Sequence, residues 1–132
     1  MTPDKLQKLK SNLFPAAHGA IADWAMFPWH THASSRRSSQ MLAIDVFGTL
    51  KVASQSARDA ILGEVAICSG VSPVGPWQVQ LEWQDMRNLL RERTPTQVDA
   101  VAIGQNAILL FECKFTEAGG GCSQIKPDAS GL

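Results

Sequence analysis

The sequence predicts an α/β domain built as a mixed central β-sheet flanked by helices. Three observations lead there. Helical periodicity runs through positions 38 to 70, strand-like alternation and apolar runs fill positions 77 to 115, and 132 residues suffice for one core but not two. We expect a single unit over 1–132, with an N-terminal extension (1–37), a core (38–124) and a flexible tail (125–132).

The chain opens with "MTPDKLQKLK", a short polar helix capped by Thr2 with Pro3 in its first turn, which does not read as a signal peptide. "FPAAHGAIADWAMFPWHTHASSRR" lacks a clean period and is broken by Pro15 and Pro28, so it reads as one short helical turn followed by an aromatic-anchored loop. In "SSRRSSQMLAIDVFGTLKVA" a serine at Ser38 or Ser39 caps a helix carrying Met41, Ile44, Val46, Phe47 and Leu50, with Gly48 as a point of fraying or kinking. "SQSARDAILGEVAICSG" predicts a second helix with Ala57, Ala60, Ile61, Glu64, Val65 and Cys68 at helical spacing, stopped at Gly70.

"WQVQLEWQDM" sets Trp77, Val79, Leu81 and Trp83 against Gln78, Gln80, Glu82 and Gln84, the pattern of a strand with one buried face. "RNLLRERTPT" reads as a helical turn or loop. "QVDAVAIG" and "AILLFECKF" then form a hairpin around Gly104, Gln105 and Asn106, and the second run, apolar on both faces, is expected as a central strand. Beyond Thr116, "EAGGGCSQIKPDASGL" offers little core material, and Gly119 to Gly121 read as a corner.

Twelve basic and twelve acidic side chains cancel, so the chain as a whole gives no electrostatic reason to bind a polyanion; that would need a local patch. Three cysteines and no leader suggest reduced thiols in the cytoplasm, and no apolar run approaches the ~20 residues that span a bilayer. We expect no membrane role. Tryptophans expected to be exposed and the incomplete sheet make a homodimer a candidate assembly.

The hairpin places ions where apolar residues belong. Burying a charge is costly unless it is paired or binds a metal, yet Asp99, Glu112 and Lys114 all lie in or beside apolar runs. Alternation puts Glu112 and Lys114 on one face with Ile108 and Leu110, while Leu109, Phe111, Cys113 and Phe115 take the other. The tight turn brings Asp99 near both, and whether the three share a face depends on the register, which the sequence does not fix. Two carboxylates at a strand end suit Mg²⁺ or Mn²⁺, and a neighbouring ammonium can orient a water beside a phosphate, so the parts fit metal-assisted phosphodiester hydrolysis. A plain salt bridge and a turn-capping aspartate use the same residues.

Asp99 followed thirteen residues later by "ECK" at Glu112 to Lys114 resembles the D...(D/E)-x-K motif of the PD-(D/E)XK nuclease superfamily, with its restriction-endonuclease-like fold. The resemblance implies an α-β-β-β-α-β core. Val98 stands where the superfamily's name has proline, and the last helix and strand have too few residues, which suggests a C-terminally truncated relative or a fragment. It further implies catalytic roles for Asp99, Glu112 and Lys114, with Asp99, Glu112 and the Cys113 carbonyl binding the metal and Lys114 positioning water. DNA is the implied partner, with RNA left open. A further polar residue is usual on the first core helix; Gln40, Glu64 and the strand residue Glu82 are the accessory candidates. A catalytically inactive relative serving as a nucleic-acid-binding or assembly module is the alternative.

Other features carry two readings each. Arg36, Arg37, Arg87 and Arg91, with Arg93, either grip phosphate or are solvated ends and turns. His30 and His32 in "WHTH" are loop histidines or a metal pair. Trp24 and Trp29 stack on bases or pack in the core. Cys113 has no visible base beside it and is not expected to be a nucleophile.

Overall fold

In the computed structural model, which describes residues 1–72 and 75–115, α1 (Pro3–Asn12) starts at Thr2, whose hydroxyl accepts the Lys5 N–H as the capping pattern requires. A 3₁₀ turn (Pro15–Ala20) and the aromatic loop follow. Ser38 caps α2 (Ser39–Ala43), which passes without a break through a π-helical turn (Ile44–Gly48) into α3 (Thr49–Val52). Ser54 caps α4 (Gln55–Cys68). The strands are β1 (Gln78–Gln84), β2 (Gln97–Ile103) and β3 (Ile108–Phe111).

The three strands form an antiparallel sheet in the order β1-β2-β3. Gln78 faces Ile103 and Gln84 faces Gln97 in the first pair; Ala100 faces Phe111 and Ile103 faces Ile108 in the second. The predicted turn closes with the Gly104 N–H on the Ala107 carbonyl. Helices with a sheet agree with the α/β expectation. The mixed sheet is corrected to an antiparallel one among the described residues; the expected second core helix, last strand, glycine corner and tail lie outside them.

Two apolar clusters hold the elements. One gathers Leu9, Leu13, Ile21, Met41 and Ile44 with the partly buried Trp24, Phe27 and Trp29. The expectation of exposed tryptophans is corrected: Trp77 is buried and Trp24, Trp29 and Trp83 are partly buried, with the Trp29 indole N–H on the Trp24 carbonyl. The other joins Leu62 and Ala66 of α4 to Trp77, Val79, Ala102 and Leu109, with Phe47 against Phe111. Truncating Leu62 to alanine should cost about 2–5 kcal/mol.

Three local expectations are revised. The central strand is β2, buried from Val98 to Ala102, whereas Ile108 and Leu110 of β3 are exposed at the edge of the described sheet. On α4 the buried residues are Leu62 and Ala66, so Ala57, Ala60, Ile61 and Glu64 turn outward, because Trp77 and the sheet approach from another side. Gly48 neither frays nor kinks its helix: it stays right-handed at φ −64°, and a Cβ there would lie 3.2 Å from the Ala20 Cβ. Glycine lets the 3₁₀ turn and the π-turn approach closely.

Arg58 locks the α3–α4 junction. Its guanidinium donates to the carbonyls of Leu50, Lys51, Ala53 and Trp77, satisfying helix-end carbonyls and tying them to the approach of β1.

Candidate functional site

The register of β2 sets Asp99 between an acid from each neighbouring strand. Ala100 pairs with Phe111, so the next step along both strands sets Asp99 opposite Glu112. Regular β3 ends at Phe111, and the Cys113 N–H thus freed from the ladder donates to the Asp99 Oδ2 at 2.6 Å. On the opposite side, the pairs Leu81 with Ala100 and Trp83 with Val98 bracket Glu82 against Asp99.

Glu82 adopts φ 49°, a left-handed conformation uncommon for residues other than glycine. The ladder skips at this residue and the carboxylate turns inward, with its side chain only 3% exposed. It is therefore not the exposed strand acid that alternation allows. Glu82 Oε1 accepts from Gln40 Nε2 at 2.7 Å, and Oε2 accepts from Gln97 Nε2 at 3.1 Å and lies 3.4 Å from His30 Nε2.

Gln40, in the first turn of α2, is fully buried, and its amide is fully used. Its oxygen accepts the His30 N–H at 2.8 Å, and its nitrogen also donates to the Pro28 carbonyl at 2.9 Å. One amide thus joins helix, aromatic loop and strand, and makes the burial of Glu82 tolerable.

Opposite this closed side, Lys114 Nζ and Glu112 Oε1 lie 3.0 Å apart with side chains 39% and 53% exposed. Burial pushes the Asp99 carboxyl above its ordinary value; the Cys113 N–H works against this, Glu112 and Glu82 reinforce it, and His30 opposes it. The Cys113 thiol is pushed up to about 11, first by burial and then by Asp99 and Glu112. It stays protonated at neutral pH, which argues against a nucleophile.

The remaining candidates divide. Glu64 lines a cavity with Asp59, Pro76 and Trp77 at the end of β1 remote from Glu82, so the structure does not bring it to Asp99. Arg37 shares a surface recess with His30 and His32, and Arg36 lines a separate cavity with Phe115. Arg87 and Arg91 are exposed on the β1–β2 loop, which Asp85 organises by accepting the N–H groups of Leu89 and Leu90, each at 2.8 Å. Sequence reasoning missed Asp85 and the contact of His30 with Glu82. A lone acid after a strand is a fair turn signal, whereas nothing in "WHTH" points at a strand fifty residues on.

As to a metal, no cluster of three or more His, Cys, Asp or Glu able to hold an ion forms among the described residues. Asp99 and Glu112 do supply hard oxygen donors from adjacent strands, the type that a small divalent cation keeping several waters prefers. By donor chemistry these residues fit.

The described part of the chain is thus a helix-backed antiparallel sheet with Asp99, Glu112 and Lys114 near one strand end. The family model described as REase-ARP, Restriction Endonuclease associating with ARP, matches residues 11–130, and the chain belongs to this family. The match points to a nuclease-related role. No curated protein and no solved structure matches the chain. Among the described residues, no helix is long and apolar enough to cross a membrane.

Proposed function

We propose that this chain is a PD-(D/E)XK-type nuclease that hydrolyses phosphodiester bonds in DNA with Mg²⁺ or Mn²⁺. The observation that carries the reading is the bond between the Cys113 N–H and the buried Asp99, which ties the first acid of the motif to the strand end bearing Glu112 and Lys114. Asp99, Glu112 and the Cys113 carbonyl would hold the ion, which when bound would polarise the phosphate and help generate hydroxide. Asp99 is oriented by Cys113. Lys114, held by Glu112, presents an ammonium at a solvent-accessible edge where it can orient a water and offset charge developing on phosphate oxygens. Gln40 and Glu82 brace the back of the site, and the exposed arginines are available to backbone phosphates.

Plasmid incubated with the protein and Mg²⁺ should be nicked or linearised, and Glu112→Ala and Lys114→Ala should each abolish this. Equal cutting by both variants would end the proposal. A second reading, a catalytically silent module, is favoured by one observation: Gln40, a neutral amide, fills the helix position where the superfamily usually has an acid. Titration with Mn²⁺ separates them, since a formed ligand set raises the melting temperature and a vestigial one does not.

A further inference from the structure

The loop between β1 and β2 carries an exposed patch that neither apolar cluster takes up. Met86 is 77% exposed, Leu89 57% and Leu90 45%, three large apolar side chains within five positions. Arg87, Arg91 and Arg93 stand among and beside them, all exposed. Their guanidinium groups take part in no hydrogen bond or ion pair among the described residues, in contrast to that of Arg58, which is spent on backbone carbonyls. Of the acids in the loop, Asp85 is buried and Glu92 receives the Thr96 hydroxyl, so cations predominate on the outer surface although the chain as a whole is neutral. The patch is held out by its backbone. The Asp85 carboxylate accepts the N–H groups of Leu89 and Leu90, each at 2.8 Å, the Asp85 N–H donates to the Thr96 carbonyl at 2.8 Å, and Asn88 and Arg91 are left-handed at φ 51° and 54°. The leucine pair thus turns its amides to a buried anion and its side chains to solvent.

The loop leaves the sheet at Gln84 and returns at Gln97, a paired couple two residues from Glu82 on one strand and from Asp99 on the other, or about 7 Å along each strand. It therefore springs from the end of the sheet that carries Asp99. An anchored apolar tip set among unpaired cations suits a partner with charged phosphates outside and stacked apolar rings inside. We propose that Leu89 and Leu90, with Met86 beside them, enter the minor groove of the DNA substrate and wedge between two base pairs, while Arg87, Arg91 and Arg93 meet the flanking phosphates. This inference rests on the nuclease proposal and deepens it. The substrate is duplex DNA kinked beside the cut, and pyrimidine–purine steps, which unstack most readily, are favoured.

The test uses full-length protein in EDTA and a set of short duplexes, each with 2-aminopurine at a different position, whose fluorescence rises when the base is unstacked. Saturating wild-type protein should raise the signal about threefold at one or more positions. The double variant Leu89→Ser with Leu90→Ser should bind with the same salt dependence and lose the rise; thermal melts confirm that it folds, as its anchoring N–H groups are kept. Arg87→Ala with Arg91→Ala should weaken binding to every duplex and lower the salt slope by about two. A full rise from the leucine variant would overturn the wedge. So would wild-type binding to phosphatidylserine vesicles that the leucine variant loses while its duplex signal stays unchanged, which would assign the patch to an anionic lipid surface. No rise at any position also overturns it; the nuclease proposal survives that result if wild-type protein still cuts plasmid in Mg²⁺, and falls with it if plasmid stays intact.

Discussion

The two sides of the candidate site hold the same kind of group under opposite physical conditions. Behind Asp99, the carboxylate of Glu82 is sealed and bonded to two glutamine amides, with His30 alongside. In front, Glu112 and Lys114 make a half-exposed pair whose ions remain in contact with water. A buried, fully bonded charge is expensive to disturb, whereas a surface pair adds little to stability. The back of the site should therefore govern folding and the front should govern chemistry, with Asp99 belonging to both.

The largest effect expected from this contrast is on activity. Glu112→Ala and Lys114→Ala should each lower DNA cleavage by about 10²–10³-fold or more while shifting stability by no more than about 0.5 kcal/mol. Urea melts beside plasmid assays would show it; a large loss of stability would erase the distinction between the sides. Next comes Gln40→Leu, which strands the buried Glu82 oxygen, the Pro28 carbonyl and the His30 N–H. It should cost about 2–4 kcal/mol, and Glu82→Gln in the same background should recover part of it. Asp85→Ala, outside both sides, removes two hydrogen bonds and should cost about 1–3 kcal/mol, with the loss of amide protection confined to positions 86–90.

The smallest effect sharpens the position of Asp99. Its folded-state affinity for protons is raised, so its contribution to stability is whole below the ordinary carboxylate value of 3.8 and is lost as pH rises through the folded value. At neutral pH the charge burdens the fold. Asp99→Asn should therefore melt higher than wild type near neutrality, with the difference shrinking toward about pH 4, although this variant should be inactive. A variant that melts lower across that whole range would show that the Cys113 contact outweighs the burden of burial.

The front of the site was legible in the sequence because it depends on two short-range regularities. The i, i+2 spacing of Glu112 and Lys114 and the Gly104 turn pointed to a meeting near Asp99, although regular β3 ends at Phe111 and the pair is held by its own 3.0 Å contact, and the register was not fixed by the sequence. The helix caps at Thr2, Ser38 and the stop at Gly70 were readable for the same local reason. The back was not. Burial of Glu82 depends on one left-handed residue that reverses the in-out rule, and no residue type at that position signals it. Gln40 and Glu82 appeared only as two guesses among three, since a hydrogen bond spanning forty-two positions leaves no local trace. The exposed face of α4, and the position of β3 at the edge of the sheet formed by the described residues, differ from the reading because which side is covered depends on neighbours that a single segment cannot name.

The π-turn between α2 and α3 has a mechanical corollary. Gln40 lies ahead of it and locks onto β1 through Glu82, while Phe47 within it meshes with Phe111, 4.4 Å away, on the opposite flank of the sheet. An ordinary helix advances about 100° and 1.5 Å per residue, so excising one position from 44–48 would throw the two engagements out of phase. The wide turn acts as a gear spacer, and a shortened chain would have to surrender either its aromatic wedge or its polar brace.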